Sequence, residues 1–528
     1  MKNEVGRGFK IAFFMLILIC YGLTGALLPC FGQTSAMEEL LILFQRKGTL
    51  TAQEADALRA VLAEERKELA RVHRALEEKE RFLEEKERAL MASQGSGGSS
   101  LGSAGGGGTS PSEKATILED RNRTERPLSA YYDDGFCLGS EDKEDLSLCF
   151  NSFLQADYRY FDYDEGDPQK NEFDLRRVRL ALSGNLLKRF AYKFEYEFQG
   201  AGSRRLMDAY LESAILPFAS FRIGQFKEPF GLEHVSDDEV VPFAERSMGY
   251  YLTPQRDLGA MLHGAFLKNR AYYAVGVFNG DGTDDSTGGN SDSPELTGRI
   301  GLSPFKEIGF RPLENLHFGM SASYAEVDAS NVQVNVKTSG LTSFFDVASA
   351  AKFNIIRDAD SRSRYVVEMG WAYGPLLIYG EYTKMDFEGI ATSAERFDAG
   401  MEDYYGALLW MLTGEEPELA GGRILPVIPR KSLWEGGWGG LGLAVRYDLF
   451  EAEESVYDYL IREGNSVRRA EAYSVAVNWF LSRYVKFIVD FTRTEFDKPL
   501  LIARDPLSGT AIYSDREDVI TARFQMGF

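Results

Sequence analysis

From about residue 152 to its end the chain alternates apolar and polar residues with a period of two, the signature of β-strands with chemically different faces. In RFAYKFEYEF, residues 189–198, Phe190, Tyr192, Phe194, Tyr196 and Phe198 share one face, and Ala191, Lys193, Glu195 and Glu197 the other. The strand before it sets Val178, Leu180 and Leu182 against Arg177, Arg179, Ala181 and Ser183. The pattern runs to the last residue, where Ile520, Ala522, Phe524, Met526 and Phe528 alternate with Thr521, Arg523, Gln525 and Gly527. A soluble sandwich buries such apolar faces. An outer-membrane barrel turns them to lipid, carries aromatic girdles and closes its last strand on its first, because no sheet edge can stay unpaired in hydrocarbon. The terminal Phe528 favours the barrel, with Phe524, Met526 and Phe528 as the signal read by the barrel-assembly machinery.

The expected fold is all-β, a 16-stranded antiparallel transmembrane barrel over 152–528. Its strands lie near 152–164, 171–184, 189–200, 205–216, 219–226, 257–267, 270–279 and 294–303, then 315–326, 363–374, 375–387, 402–414, 438–450, 470–481, 484–497 and 516–528. Leu187-Lys188, Pro217-Phe218 and Ser482-Arg483 read as tight turns on one rim. The stretches 227–256, 280–293, 327–362, 415–437 and 450–469 read as long loops on the other, with the loop after Gly224–Leu232 turning back towards a pore.

The pattern is different upstream. Arg7 and Lys10 precede the apolar run Ile11–Gly22 and the small residues Thr34-Ser35-Ala36, an export signal over 1–36. Pro29 sits where a lipoprotein signal before Cys30 needs a small residue. In the helical segment 37–94, Leu62, Leu69, Leu76, Leu83 and Leu90 recur every seven residues, which suits a coiled coil or a single charged amphipathic helix. Gly and Ser dominate a flexible linker, 95–112, and 113–151 reads as an irregular periplasmic lead-in. Cys137 and Cys149, left in an oxidising compartment, pair with each other or bridge to another chain.

Composition narrows the function. A net charge of −21 and a pI near 4.9 exclude nucleic acid as a partner, since a phosphate backbone needs a basic face. The four histidines, His73, His234, His263 and His317, fall in neither a metal-ligand nor a nucleophile-elbow spacing, so no enzyme, metal or cofactor is expected. Asn279–Ser293 offers oxygen ligands without the EF-hand spacing and reads as a solvated loop. A second role, tethering the envelope by holding the cell wall through the coiled coil, is compatible with the first.

Several local motifs resemble the phosphate-selective porin O/P family of outer-membrane channels. They include Leu154-Gln155-Ala156-Asp157-Tyr158, Arg176-Arg177, Asp208, Gly224–Glu233 (GQFKEPFGLE), Phe243-Ala244-Glu245-Arg246, Leu412–Glu415, Arg446-Tyr447-Asp448, Asn478-Trp479-Phe480 and Arg523-Phe524-Gln525. The resemblance covers roughly 150–528. It implies a homotrimer of barrels in the outer membrane, each with its own channel for small anions, narrowed by an infolded loop. Arg176, Arg177, Asp208 and Arg246 match positions the family uses at its constriction. Phe153 and His234 stand where the family has Arg and Lys, and its arginine run aligns with Asn331–Gly340, which keeps only Lys337. The channel-lining candidates are Arg176, Arg177, Arg179, Lys193, Asp208, Arg222, Lys227 and Arg246. Of these, Arg177, Arg179, Arg222 and Arg246 with nearby Lys227 are expected to form one positive patch. A water-filled diffusion pore with mild anion preference and weak phosphate binding is the expected function.

Overall fold

The computed structural model describes residues 128–528 apart from 141–144, 164–170, 200–204, 281–292, 348–355, 394, 461–463 and 505–509. The expected export signal, helical segment, linker and start of the lead-in lie outside the described residues. In chain order the strands are β1 (Leu128–Tyr132), β2 (Phe136–Ser140), β3 (Ser147–Tyr163), β4 (Glu172–Leu186), β5 (Phe190–Glu197), β6 (Leu206–Leu216), β7 (Ala219–Lys227), β8 (Arg256–Phe266), β9 (Ala271–Phe278), β10 (Glu295–Leu302) and β11 (Asn315–Glu326). They continue with β12 (Val334–Lys337), β13 (Ser343–Val347), β14 (Ser361–Tyr373), β15 (Leu376–Ala391), β16 (Arg396–Met411), β17 (Leu419–Ala420), β18 (Arg423–Ile424), β19 (Gly440–Ala452), β20 (Arg469–Phe480), β21 (Val485–Arg504) and β22 (Ala511–Gly527).

Leaving out β1–β2 and the small hairpins β12–β13 and β17–β18, sixteen strands pair antiparallel in sequence, and β22 closes on β3 from Glu517↔Tyr163 to Gly527↔Phe153. Ser152 and Phe528 exchange two backbone hydrogen bonds, 2.8 and 3.0 Å, so the ring is sealed to the terminal residue. The closed ring leaves no lateral edge among these strands, which is what hydrocarbon demands. Alternation sets the faces: Ile520, Phe524 and Phe528 are exposed on the outside of β22, while Thr521, Arg523 and Gln525 are buried inside. The sixteen expected strands are all present, several running further towards a rim, as β21 does to Arg504.

Two connections differ from expectation. The segment 412–439 follows the twelfth barrel strand, and an even number of antiparallel crossings returns the chain to its starting rim. This long connection therefore stands with the tight turns 187–189, 217–218 and 374–375, not with the long loops. It enters the lumen from that side: Leu419, Ile424 and Val427 are buried in one cluster with Leu232, Val240, Val241 and Phe243 of the loop 228–255. At its tip Gly421 and Gly422 have φ of 57° and 69°, the conformation of a tight two-residue hairpin turn.

The lead-in is also more ordered than expected. β1 and β2 form a hairpin, and β2 pairs with the start of β3 from Phe136↔Phe150 to Gly139↔Ser147. Because β3 begins at Ser147, ahead of the residues that β22 covers, its first turns would otherwise show an open edge, which β2 caps. Cys137 lies opposite Cys149, and the two are joined as a disulfide. On the outer face, Tyr132, Phe136, Phe150, Leu182 and Phe194 form one cross-strand apolar row that carries the lipid-facing surface onto the hairpin.

Two of the long loops fold inward. Loop 228–255 buries Phe230, Leu232, Val241 and Phe243 and contains the short helix α1 (Leu232–Val235). Loop 327–360 buries Val332, Val334, Val336, Phe344 and Phe345 against Leu252 and Phe450. Each such aromatic removed from water contributes about 1.5–3 kcal/mol, which offsets the ordering of a long connection.

Candidate constriction of the channel

The site begins with a defect in β4. Gln155 pairs with Arg177 and Ala156 with Leu175, so Arg176 is an extra residue, a β-bulge. Strict alternation would send Arg176 outward; the bulge lets neighbouring Arg176 and Arg177 both reach the interior. A second bulge, between Glu195↔Asp208 and Tyr196↔Leu206, turns Met207 to the same space. There Arg176, Arg177 and Arg179 of the wall meet Arg246, Tyr250 and Tyr251 of loop 228–255 around a cavity of about 480 Å³.

Wall carboxylates hold this loop by its backbone. Asp490 accepts from the Ala244 N–H (2.8 Å), Asp448 from Met248 (2.9 Å) and Glu381 from Leu232 and Glu233 (2.5 and 3.2 Å). Buried donors are thereby satisfied, which a loop inside a barrel requires. Ile424 N–H donates to Ser236 Oγ at 3.1 Å, tying the loop to segment 412–439.

The loop also brings charge of its own. Asp238 accepts from Arg179 Nη1 at 2.6 Å and from Arg246, with Arg177 Nε at 3.2 Å. Glu245 accepts two hydrogen bonds from Arg176, at 2.8 and 3.0 Å, and others from Arg523 (2.9 Å) and Arg159 (3.3 Å). Burial pushes the Asp238 carboxyl up, but Arg177, Arg246 and Arg179 outweigh it and hold it well below the usual carboxylate range. Burial and then Arg176 and Arg523 act in the same way on Glu245, with the same result. His234, inside α1, is shifted well below its ordinary value by burial and by Lys227 and Arg246, so it adds no charge where a Lys was the family expectation.

The other sequence candidates divide. Lys193 bridges Glu195 (2.6 Å) and Asp208 (2.9 Å), and Asp208 also receives Arg256 (2.8 Å). This group touches the first through Arg179, 3.6 Å from Glu195 and 2.8 Å from Glu197. Lys227 donates to Ser236 O at 2.9 Å and lies 3.7 Å from Asp237, a brace for the loop. Arg222 does not join the expected patch. It pairs with Glu212 at 2.5 Å beside His263 and stacks on Tyr210 at 4.2 Å, because its place on β7 sets it directly opposite Glu212 of β6, with Tyr210 two residues along that strand. The patch is not simply positive either, for every arginine around the cavity has a carboxylate within 4.0 Å. Asp238 and Glu245, which neutralise it, were not among the sequence candidates. Glu245 lies in the Phe243-Ala244-Glu245-Arg246 motif, but nothing in the sequence pattern marks Asp238.

The chain is similar to several known proteins. The sequence model of phosphate-selective porin O and P matches residues 147–528. Porin O of Pseudomonas aeruginosa is 26% identical over 395 residues, which cover 69% of this chain and 86% of that protein. Among solved structures, OmpT of Vibrio cholerae matches with 12% identity, 75% of this chain, 99% of the other and a TM-score of 0.44. An anion-selective porin from Comamonas acidovorans matches with 10% identity, 72% and 99% coverage and a TM-score of 0.43.

Proposed function

The chain belongs to the phosphate-selective porin O and P family, and we propose that the outer-membrane channel it forms passes small solutes and ions with a mild preference for anions and weak phosphate binding. The observation that carries this reading is the convergence of Arg176, Arg177, Arg179 and Arg246 on one lumen cavity. Fixed charge in a water-filled constriction acts over about a Debye length, ~8 Å at physiological salt, so a local group outweighs a net charge of −21 spread over the chain. The preference is mild because Asp238 and Glu245 face the same arginines. Reversal potential under a KCl gradient in planar bilayers tests it. The parent should lie slightly on the anion side, and Arg177→Ala with Arg246→Ala should move it towards cations. A cation-selective parent, or no movement in the double variant, refutes the reading.

The finer assembly is a homotrimer through the barrel walls, supported by family membership and by the apolar outer face. Cross-linking that yields only monomers would count against it.

A further inference from the structure

Three guanidiniums converging on a single carboxylate is the arrangement a protein uses to seize an oxyanion. Asp238 sits at such a point: Arg179 at 2.6 Å, Arg177 at 3.2 Å and Arg246 in direct contact, with the carboxylate side chain only 6% exposed. The three arginines come from two independent elements, β4 and loop 228–255, and the set adjoins the lumen cavity at Arg177, Arg179 and Arg246. Their common ligand belongs to the chain. It is carried by the turn 237–240, closed by a Val240 N–H to Asp237 O hydrogen bond, directly after α1.

We propose that Asp238 is a tethered competitor: the three-arginine set is an oxyanion-binding site, and the carboxylate of Asp238 fills it so that a permeating anion has to displace it. The idea rests on the pore reading above and adds a specificity-determining residue to it. A ligand that needs a vacated site binds more weakly in proportion to the fraction of time the site is vacant, and a tethered group reaches a high effective concentration. The site therefore passes oxyanions without holding them. Glu245 is a different case, since its arginines include Arg523, which also makes a two-pronged pair with Asp157 at 2.7 Å and holds the barrel seam.

The test uses the full-length protein in planar bilayers with Asp238→Asn and Asp238→Ser. Both remove the charge and leave β4 and the loop anchors in place. Asp238→Glu keeps the charge, and Asp328→Asn removes an equal charge from the exposed rim loop, where Asp328 contacts Ser330. Two quantities are read: the reversal potential in a KCl gradient, and the concentration of inorganic phosphate, with sulfate in parallel, that halves the chloride current. The Asn and Ser variants should shift the potential towards anions and bind phosphate roughly tenfold more tightly, while the Glu and Asp328→Asn variants stay with the parent. Unchanged potential and phosphate affinity in a conducting Asn or Ser variant overturns the proposal and leaves the pore reading standing. An equal shift in Asp328→Asn overturns it too, since the effect would then be one of net charge. Failure of both Asn and Ser variants to form heat-modifiable barrels also overturns it, because a competitor is dispensable to folding. A parent that conducts no ions refutes the pore reading instead.

Discussion

One extra residue, Arg176, decides how many arginines reach the lumen. Alternation in the sequence correctly placed Arg177 and Arg179 inside, but it gives no warning of a bulge, because a bulge is fixed by how two strands pair and not by either alone. The carboxylates were hidden for a related reason, since Asp238 and Glu245 belong to a loop without periodicity whose partners lie on strands spread along the chain from β3 to β22. Their ionisation has a consequence that can be checked. Of the two, Glu245 is the docking group, and its carboxyl lies well below the usual range in the folded state, so its contribution to loop docking is fully present above the ordinary carboxylate value of about 4. It is lost only as pH falls further, through the depressed value. His234, whose proton affinity is likewise depressed, stays neutral from pH 8 to 6.5. Residues 228–255 should thus resist pepsin at pH 4 and become cleavable towards pH 2, as followed by fragment mass. Cleavage already complete at pH 4 would show that these ion pairs do not hold the loop.

At the level of elements, the strands were legible because a period of two over eight or more residues admits few other readings, and the tight turns between them fixed the register. The rim of segment 412–439 was legible as well, by counting strands, although length alone suggested the opposite rim. Its course into the lumen was not, since only the cluster of Leu419, Ile424 and Val427 with Leu232, Val240 and Phe243 reveals it. The channel is therefore narrowed from both ends, and the two inserts touch at Ile424 and Ser236. Ile424→Asp would bury an unpaired charge in that cluster. Relieving it by swinging the hairpin out costs less than leaving the charge in place, which amounts to several kcal/mol. The expected outcome is a barrel of normal heat stability with a larger and noisier single-channel conductance. Unchanged conductance in bilayers would mean that segment 412–439 does not limit the pore.

For the whole molecule, closure and constriction are one structure. Arg523 of β22 pairs with Asp157 of β3 directly across the seam and also reaches Glu245, while Gln155 and Gln525 share a 2.8 Å hydrogen bond one step further along. Sealing the ring therefore completes the binding site for the inward loop. The strand that performs this step is β22, and its outer face is Ile520, Phe524 and Met526, followed by Phe528, which pairs with Ser152 at the rim. We propose that a machinery that folds barrels reads this exposed apolar face before the ring is shut. Phe528→Asp places a charge near the membrane interface, where the static cost is only about 1 kcal/mol or less, too small to unfold a closed barrel. A marked fall in outer-membrane levels of this variant, with normal heat-modifiability of the fraction that does insert, would therefore locate the effect in recognition and not in stability. Parental membrane levels would refute a signalling role for the terminal aromatic.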